Sequence, residues 1–490
     1  ISKDYNKATL PDFKKTINDE LGTVAYMVIK KDSIIFEEYW HGYSADSSSN
    51  SFSMAKSWVS TLIGVAIKEG KIESVNQKVC DFIPEFCEGD NSEITIKHLL
   101  TMSSGLNWNE DYHDPLGQTA EAYFAPNLKD QVVNLKSTEN PGKVFKYHSS
   151  CTQLLSFIVE NSTGKSINEY VSEKLWKPIG AKHPALWNTD TEGGDEKAFC
   201  CINSNARDFA RIGKLYMNFG NWNGNQILSE EWISSATSKQ VSNGSNPNND
   251  WTQGYGFQFW RSRYNSYRAD GAMGQFCLVI PEKDMVIAIT SGTNNLGLIM
   301  KLVWDIILPN TSKTKLIKND IAYNTLKKKI SSLSLNPYLE KKPIKPRIKI
   351  INKKFQMESN EQGVKAISFK MGENENFVLI EMEKETEIIS FSYNSFIKNY
   401  LKTHLPFTRA SRSQILPKSS LRYKKNKKIG SIGTWLNENE FELTNYLYET
   451  PVKMTYNFVF SDDALIVKSK AKNYLGVSND EKVLKSINYE

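Results

Sequence analysis

Long apolar runs are missing from this chain. The most hydrophobic stretch, 296–308, is interrupted by Lys301 and Asp305, and a membrane-spanning helix needs about 20 apolar residues. Cysteine is scarce, six in 490 residues, which excludes a small disulfide scaffold. Cys80 and Cys87 flank a short Asp-Phe-Ile-Pro-Glu-Phe segment and are placed to pair if the compartment is oxidising. Cys151, Cys200, Cys201 and Cys277 show no C-x-x-C spacing, and the six histidines include no H-E-x-x-H, so neither a metal nor a cofactor is expected. Strong charge of one sign is absent too. A net charge of +6 is small for this length and gives no footing for nucleic acid. The Lys-rich patches lie mostly beyond residue 310 and read as solvated surface. The chain opens on Ile1 rather than Met, so a removed leader and a periplasmic or secreted location are the expectation. The oligomeric state has no sequence signal.

What is present reads as an ordinary globular chain of two or three domains, 40% hydrophobic and 24% charged. Residues 22–40 predict a hairpin: Thr23 to Ile29, a Lys30–Ser33 turn, then Ile34 to Tyr39. Helices are predicted from Ser53, from Ile94 to Ser104-Gly105, through Leu154 to Val159, and through Phe209 to Leu215. Residues 107–127, rich in Asn, Asp, Pro and aromatics, predict a long loop of the kind that forms lids or binding surfaces. Strands over 277–280 and 285–290 and a closing helix to Leu308 complete an α+β pattern. Beyond Pro309 a basic helix and Pro337, Pro343 and Pro346 mark a linker over 310–346. From 347 to 490 the period changes to two, clearest in Val452 to Phe460, and predicts an antiparallel β domain or small barrel.

The chemistry centres on Ser53-Met54-Ala55-Lys56. Val59, Leu62, Ile63, Ala66 and Ile67 follow at helical intervals, and positions i and i+3 share a helix face. The Ser53 hydroxyl and the Lys56 amine therefore point the same way. Serine needs a base within hydrogen-bond reach, and Ser–Lys is one known arrangement. The amine must also be neutral. Bringing a lysine pKa from about 10.4 to about 7–8 takes on the order of 4 kcal/mol, which burial on an apolar helix face can supply. The competing reading is an amphipathic helix that contains S-x-x-K by chance, and other segments decide between the two.

With five of these, S-x-x-K makes six segments in a set order: Ser53-x-x-Lys56; Ile96 to Leu106 (IKHLLTMSSGL); Tyr147-His148-Ser149; Arg207 to Gly213 (RDFARIG); Gly254-Tyr255-Gly256-Phe257; and Gly271 to Phe276 (GAMGQF). Together they resemble the serine β-lactamase/penicillin-binding-protein-like hydrolases, class C-like branch, over roughly residues 20–308. Trp108 to Tyr112 (WNEDY) and Leu175-Trp176-Lys177-Pro178 are most similar to the nylon-oligomer (6-aminohexanoate-dimer) hydrolase and carboxylesterase subgroup. The resemblance implies a β-lactamase/transpeptidase-like antiparallel sheet flanked by helices with a helical subdomain, over 1–309. The tail over 347–490 is similar to the lipocalin-like domains attached to some members.

Carried over by position, the resemblance makes Ser53 the acylated nucleophile, Lys56 its proton acceptor and Tyr147 the phenol that passes the proton to the leaving group. It places the amides of Ser53 and Ala272 at the oxyanion hole. It puts Tyr112, Trp108, Ser149, Gly271 and Gln275 around substrate, with Gln275 also able to order the strand edge. Two positions depart from the family. Ala269 stands where the lactamases and penicillin-binding proteins place a cation for the substrate carboxylate, which favours an uncharged ester or amide. Ser149 replaces the asparagine common in the lactamases. The expected activity is hydrolysis of a small ester or amide through an acyl-enzyme. The alternatives are a D-amino-acid peptidase or penicillin-binding-type carboxypeptidase, and a catalytically silent binding or sensor protein.

Overall fold

The structure is a computed structural model that describes residues 16, 21–112, 114, 117–311, 320, 321, 324, 325, 353–372, 376–383, 385–402, 427–450, 452–461, 464–472 and 481–487. Most of the linker expected over 310–346 lies outside the described residues.

The first region is built on a six-stranded antiparallel sheet. In chain order its strands are β1 (Ala25–Lys30), β2 (Ser33–Tyr39), β3 (Trp260–Ser262), β4 (Ser266–Gly271), β5 (Gln275–Ile280) and β6 (Met285–Thr290). Their spatial order is β2-β1-β6-β5-β4-β3. The two ends of the region thus meet in mid-sheet, where Ala25 pairs with Thr290 and Lys30 with Met285.

Because side chains alternate along a strand, the sheet has two apolar faces and each needs a cover. On one face Tyr26, Val28, Phe276, Leu278, Ile287 and Ile289 pack against Ile299, Met300, Val303 and Trp304 of the closing helical segment. The opposite face takes the helix Ala206–Met217. At Gly213 a β-carbon would lie 2.6 Å from Cys277 Sγ and 2.7 Å from Val286 Cγ1, so only glycine lets this helix sit so close.

The helical subdomain lies beyond β4. Its axis is α1 (Met54–Lys68), buried on every side from Met54 to Ala66, as expected of a helix at the centre of a domain. Val59, Leu62 and Ile63 are completely buried, each contributing about 1.5–3 kcal/mol by leaving water. The polar residues on α1 are satisfied: Ser57 and Ser60 donate to the carbonyls of Gln258 and Phe257, each at 2.7 Å. Against α1 packs α2 (Ser149–Thr163), which ends at Gly164.

Two predicted boundaries move. The helix expected from Ile94 to Ser104-Gly105 is one turn, Ile96–Leu100, capped by Thr95 and His98. Met102 (φ +55) and Gly105 (φ +73) turn the chain away after it. The predicted loop 107–127 contains a helix, Gln118–Phe124. Its buried residues, Thr119, Ala120 and Ala122, are small or polar and raise no helical period above the surrounding polar composition.

The second region has two antiparallel sheets, of four and six strands, between Lys354 and Lys485. Both edges are stitched. Glu358 and Ile487 donate backbone bonds to Lys485 and Gln356, and Gly433 donates to Ser392. The sheets surround one apolar cluster, in which Met454, Tyr456, Phe458 and Phe460 alternate with half-buried neighbours.

The regions touch beside the approach to α1. His41 stacks on Tyr446 with centroids 4.2 Å apart. Tyr448 donates to Gly42 O at 3.1 Å, and the Glu449 amide donates to Ser48 O at 3.0 Å. Among the described residues, no helix is long and apolar enough to cross a membrane.

Candidate active site

Three bonds from backbone N–H groups shape the turn into α1. Ser51 N donates to Ile202 O at 2.7 Å, Phe52 N donates to the Asn50 carboxamide at 2.8 Å, and Met54 N donates to Ser51 O at 3.2 Å. Phe52 is held left-handed, at φ +45, an uncommon conformation for a bulky residue. A serine opening a helix normally accepts a capping bond. Ser53 makes none, because its own backbone is already helical (φ −64, ψ −7). Its hydroxyl is therefore available, and it is half-exposed.

Lys56, one turn on, is 1% exposed. Its Nζ lies 3.0 Å from Ser53 Oγ, 3.1 Å from Ser149 Oγ and 2.8 Å from Phe199 O. Burial lowers its pKa to about 8, opposed by the nearby Glu110 carboxylate and the Cys151 thiol. Desolvation disfavours the charged amine, so about a tenth of it is neutral at pH 7, against roughly one part in a few thousand for an ordinary lysine.

Tyr147 sits at the N-terminal approach to α2, its ring centroid 5.2 Å from Lys56 Nζ. Burial pushes the phenol's pKa upward, with the nearby Ser53 hydroxyl opposing. Trp260 and Tyr255 pack on the ring at 5.3 and 6.3 Å between centroids. The sequence-predicted Ser53, Lys56 and Tyr147 are thus brought together. The buried His148, next to Tyr147, gives its amide to Met102 Sδ.

The end of β4 forms the opposite wall. A β-carbon on Gly271 would lie 2.2 Å from Ser51 O and 3.2 Å from Met54 N. Glycine is required here for β4 to approach the Ser53 turn, a different reason from the substrate contact expected of it. This approach sets the Ala272 turn beside the start of α1. Ala269 faces the core at 1% exposure. The neighbouring Arg268 offers no replacement cation: it is fully buried, paired with Asp270 at 2.8 Å and bonded to Asp250 O.

Two of the expected substrate contacts are corrected. Gln275 is 2% exposed, and its amide is committed to Ser291 O at 2.7 Å and Met273 O at 3.3 Å, so it ties strands and faces no ligand. Ser149 is equally buried, its hydroxyl wedged between Lys56 and Glu110, so it belongs to the lysine's environment. Trp108 is mostly buried, while Tyr112 is half-exposed on the loop.

Sequence reasoning passed over Glu110. Its carboxylate receives Trp108 Nε1 (2.6 Å), Tyr112 OH (2.6 Å), Ser149 N (2.7 Å) and Ser149 Oγ (2.5 Å). It also stands at the N-terminus of α2, where the helix dipole favours an anion. It sat between Trp108 and Tyr112, both singled out, but its link to Ser149 spans 39 residues. The Phe199 carbonyl had no sequence signal, since any residue carries one. Phe199 adjoins Cys200 and Cys201, joined in a disulfide, as are Cys80 and Cys87. No group of three His, Cys, Asp or Glu fit to hold a metal occurs among the described residues.

The fold and this arrangement define a class: an α+β protein with a serine–lysine pair at the start of a buried helix. The beta-lactamase family model matches residues 13–300, and the chain belongs to that family. Among curated relatives, it is 27% identical over 237 residues to the 6-aminohexanoate-dimer hydrolase of Paenarthrobacter ureafaciens, covering 46% of this chain and 59% of that protein. It is 25% identical over 211 residues to a candidate D-alanyl-D-alanine carboxypeptidase of Escherichia coli, covering 38% and 48%. The chain thus spans about half the length of the curated relatives it matches. A solved structure of a candidate 6-aminohexanoate-dimer hydrolase from Bacillus anthracis is similar at TM-score 0.53 and 26% identity, over 64% of this chain and 82% of that one. A candidate beta-lactamase from Bacteroides dorei shares the fold at TM-score 0.51 and 17% identity, over 62% and 99%.

Proposed function

We propose that the protein is a serine hydrolase that cleaves a small, uncharged ester or amide through an acyl-enzyme on Ser53. The observation that carries this reading is the buried Lys56 Nζ, 3.0 Å from a Ser53 hydroxyl that caps nothing. In the first step Ser53 Oγ attacks the substrate carbonyl while its proton passes to neutral Lys56. The developing oxyanion is held by the amides of Ser53 and Ala272, where fixed donors in a dry site act most strongly. The carbonyl re-forms, the bond to the leaving group breaks, and Tyr147 gives its phenolic proton to the leaving oxygen or nitrogen and takes one back from Lys56, which is neutral again for the next step. Water then attacks the acyl carbon along the same path in reverse and releases the acid.

The 6-aminohexanoate-dimer hydrolase among the relatives supports an amide substrate, and the apolar Ala269 supports one without a carboxylate beside β4. The carboxypeptidase likeness supports a second reading, cleavage of a D-amino-acid peptide. A fluorophosphonate probe followed by intact-protein mass tests the first reading. A single adduct is expected, lost in Ser53→Ala, whereas no adduct on the wild type would favour a silent sensor. A stable adduct with labelled penicillin would move the assignment to the second reading.

A periplasmic or secreted location is part of the proposal, supported by the Cys80–Cys87 disulfide. So is a division at 1–309, 310–346 and 347–490, supported by the separate apolar clusters of the two regions.

A further inference from the structure

A neutral amine has two hydrogens and one lone pair, and only a lone pair aimed at the Ser53 hydroxyl can take its proton. Lys56 Nζ has three polar neighbours, so their hydrogen-bonding characters fix its orientation. Phe199 O, at 2.8 Å, is a carbonyl and can only accept; it claims one N–H. Ser149 Oγ, at 3.1 Å, could either donate or accept. Its single proton, however, is given to Glu110 at 2.5 Å. Toward Lys56 it can then only accept, and it claims the second N–H. The lone pair is left facing Ser53 Oγ.

Glu110 is itself fixed. Trp108 Nε1 and the Ser149 amide, both donors only, hold one carboxylate oxygen, and the Tyr112 hydroxyl shares the other with Ser149. We infer that Glu110 is a positioning residue which, by taking the Ser149 proton, directs the lone pair of Lys56 at the Ser53 hydroxyl. This rests on the proposed serine-hydrolase reading and deepens it. Glu110 touches neither Ser53 nor substrate in this account; it acts through Ser149.

Replacing Glu110 by Gln keeps the shape and reverses the polarity. The carboxamide can donate to Ser149 Oγ, whose proton then turns to the lysine lone pair, and Lys56 presents N–H to Ser53. Stopped-flow acylation of full-length protein by a p-nitrophenyl ester tests this. Glu110→Gln is expected to slow acylation about 10²-fold, within the range of general-base catalysis, with KM changed less than about threefold. In a Ser149→Ala background the relay is already cut, so adding Glu110→Gln should change the rate no further when it is read on the plateau above the lysine pKa.

The pH profile gives a second readout. The ionisable groups facing Lys56 are Glu110, Cys151 and Tyr147, with Asp270 beyond the tyrosine. Removing the Glu110 charge removes what holds the lysine pKa up, so the acidic limb should move below its wild-type position. A variant that merely loosened the site would admit water and move that limb upward. Wild-type protein that acylates, with Glu110→Gln equally fast or with its full loss retained in Ser149→Ala, would overturn the inference. Wild-type protein that never acylates would instead overturn the hydrolase reading.

Discussion

The two regions of this molecule bury different things. Among the described residues, the first region encloses Lys56, Lys197, Arg268, Asp190, Asp208, Asp250 and Asp270, whereas Glu387 is the one buried charged side chain of the second. Buried charge is costly unless every group is paired. A region that tolerates so much of it is organised around what those groups do. The second region has a simpler interior, with Phe369 edge-on to Phe441, Phe458 and Phe460, and Phe441 stacked with Phe458, in one cluster. The contrast separates chemistry from stability, and perturbing each region in turn tests it.

Ser53→Ala should give the largest effect. Turnover of an activated ester is expected to fall about 10⁴–10⁶-fold, as for a lost nucleophile, with the thermal midpoint unchanged. Lys56→Met should lose about 10²–10⁴-fold in acylation without lowering stability, because a methionine fills the space and leaves no amine to desolvate. A large drop in melting temperature would mean that the buried amine holds the fold together, and the contrast would fail.

The same amine sets the pH profile. With a Lys56 pKa of about 8, the active neutral form dominates above that pH and is titrated away below it. The value of kcat/KM for a non-ionising ester should therefore rise about tenfold per unit up to pH 8 and then level off. A plateau reaching down to pH 6 would count against Lys56 as the base.

In the second region Phe458→Ala should cost about 3–5 kcal/mol in urea unfolding through the cavity it leaves, with the rate of probe labelling at Ser53 unaltered. Slowed labelling would mean that the regions work as one unit. The smallest effect is expected at their contact. Tyr448→Phe removes the bond to Gly42 O and should reduce stability by about 0.5–1.5 kcal/mol.

Much of the frame could be read in advance, for local reasons. The β1–β2 hairpin, α1 and the strand Lys453–Phe460 declare themselves by period, and a period reports which face is covered without saying by what. Ser53, Lys56 and Tyr147 were legible because S-x-x-K fixes two groups on one helix turn and the ordered segments added the third. Gln275 was misplaced among the substrate contacts because its partner, Ser291 O, comes from a strand edge 16 residues away. Glu110 was given no role although Trp108 and Tyr112, two residues to either side of it, were.

The sequence by itself determined the α+β order, the change to a two-residue period in the tail, and the spacing that puts a hydroxyl and an amine on one helical face. Tertiary structure alone decided the state of that amine. The groups that bury and orient it, Ser149, Glu110 and the Phe199 carbonyl, come from three other segments, two of them 93 and 143 residues from Lys56. Proton affinity depends on surroundings in space, and those exist only after the chain has closed around them.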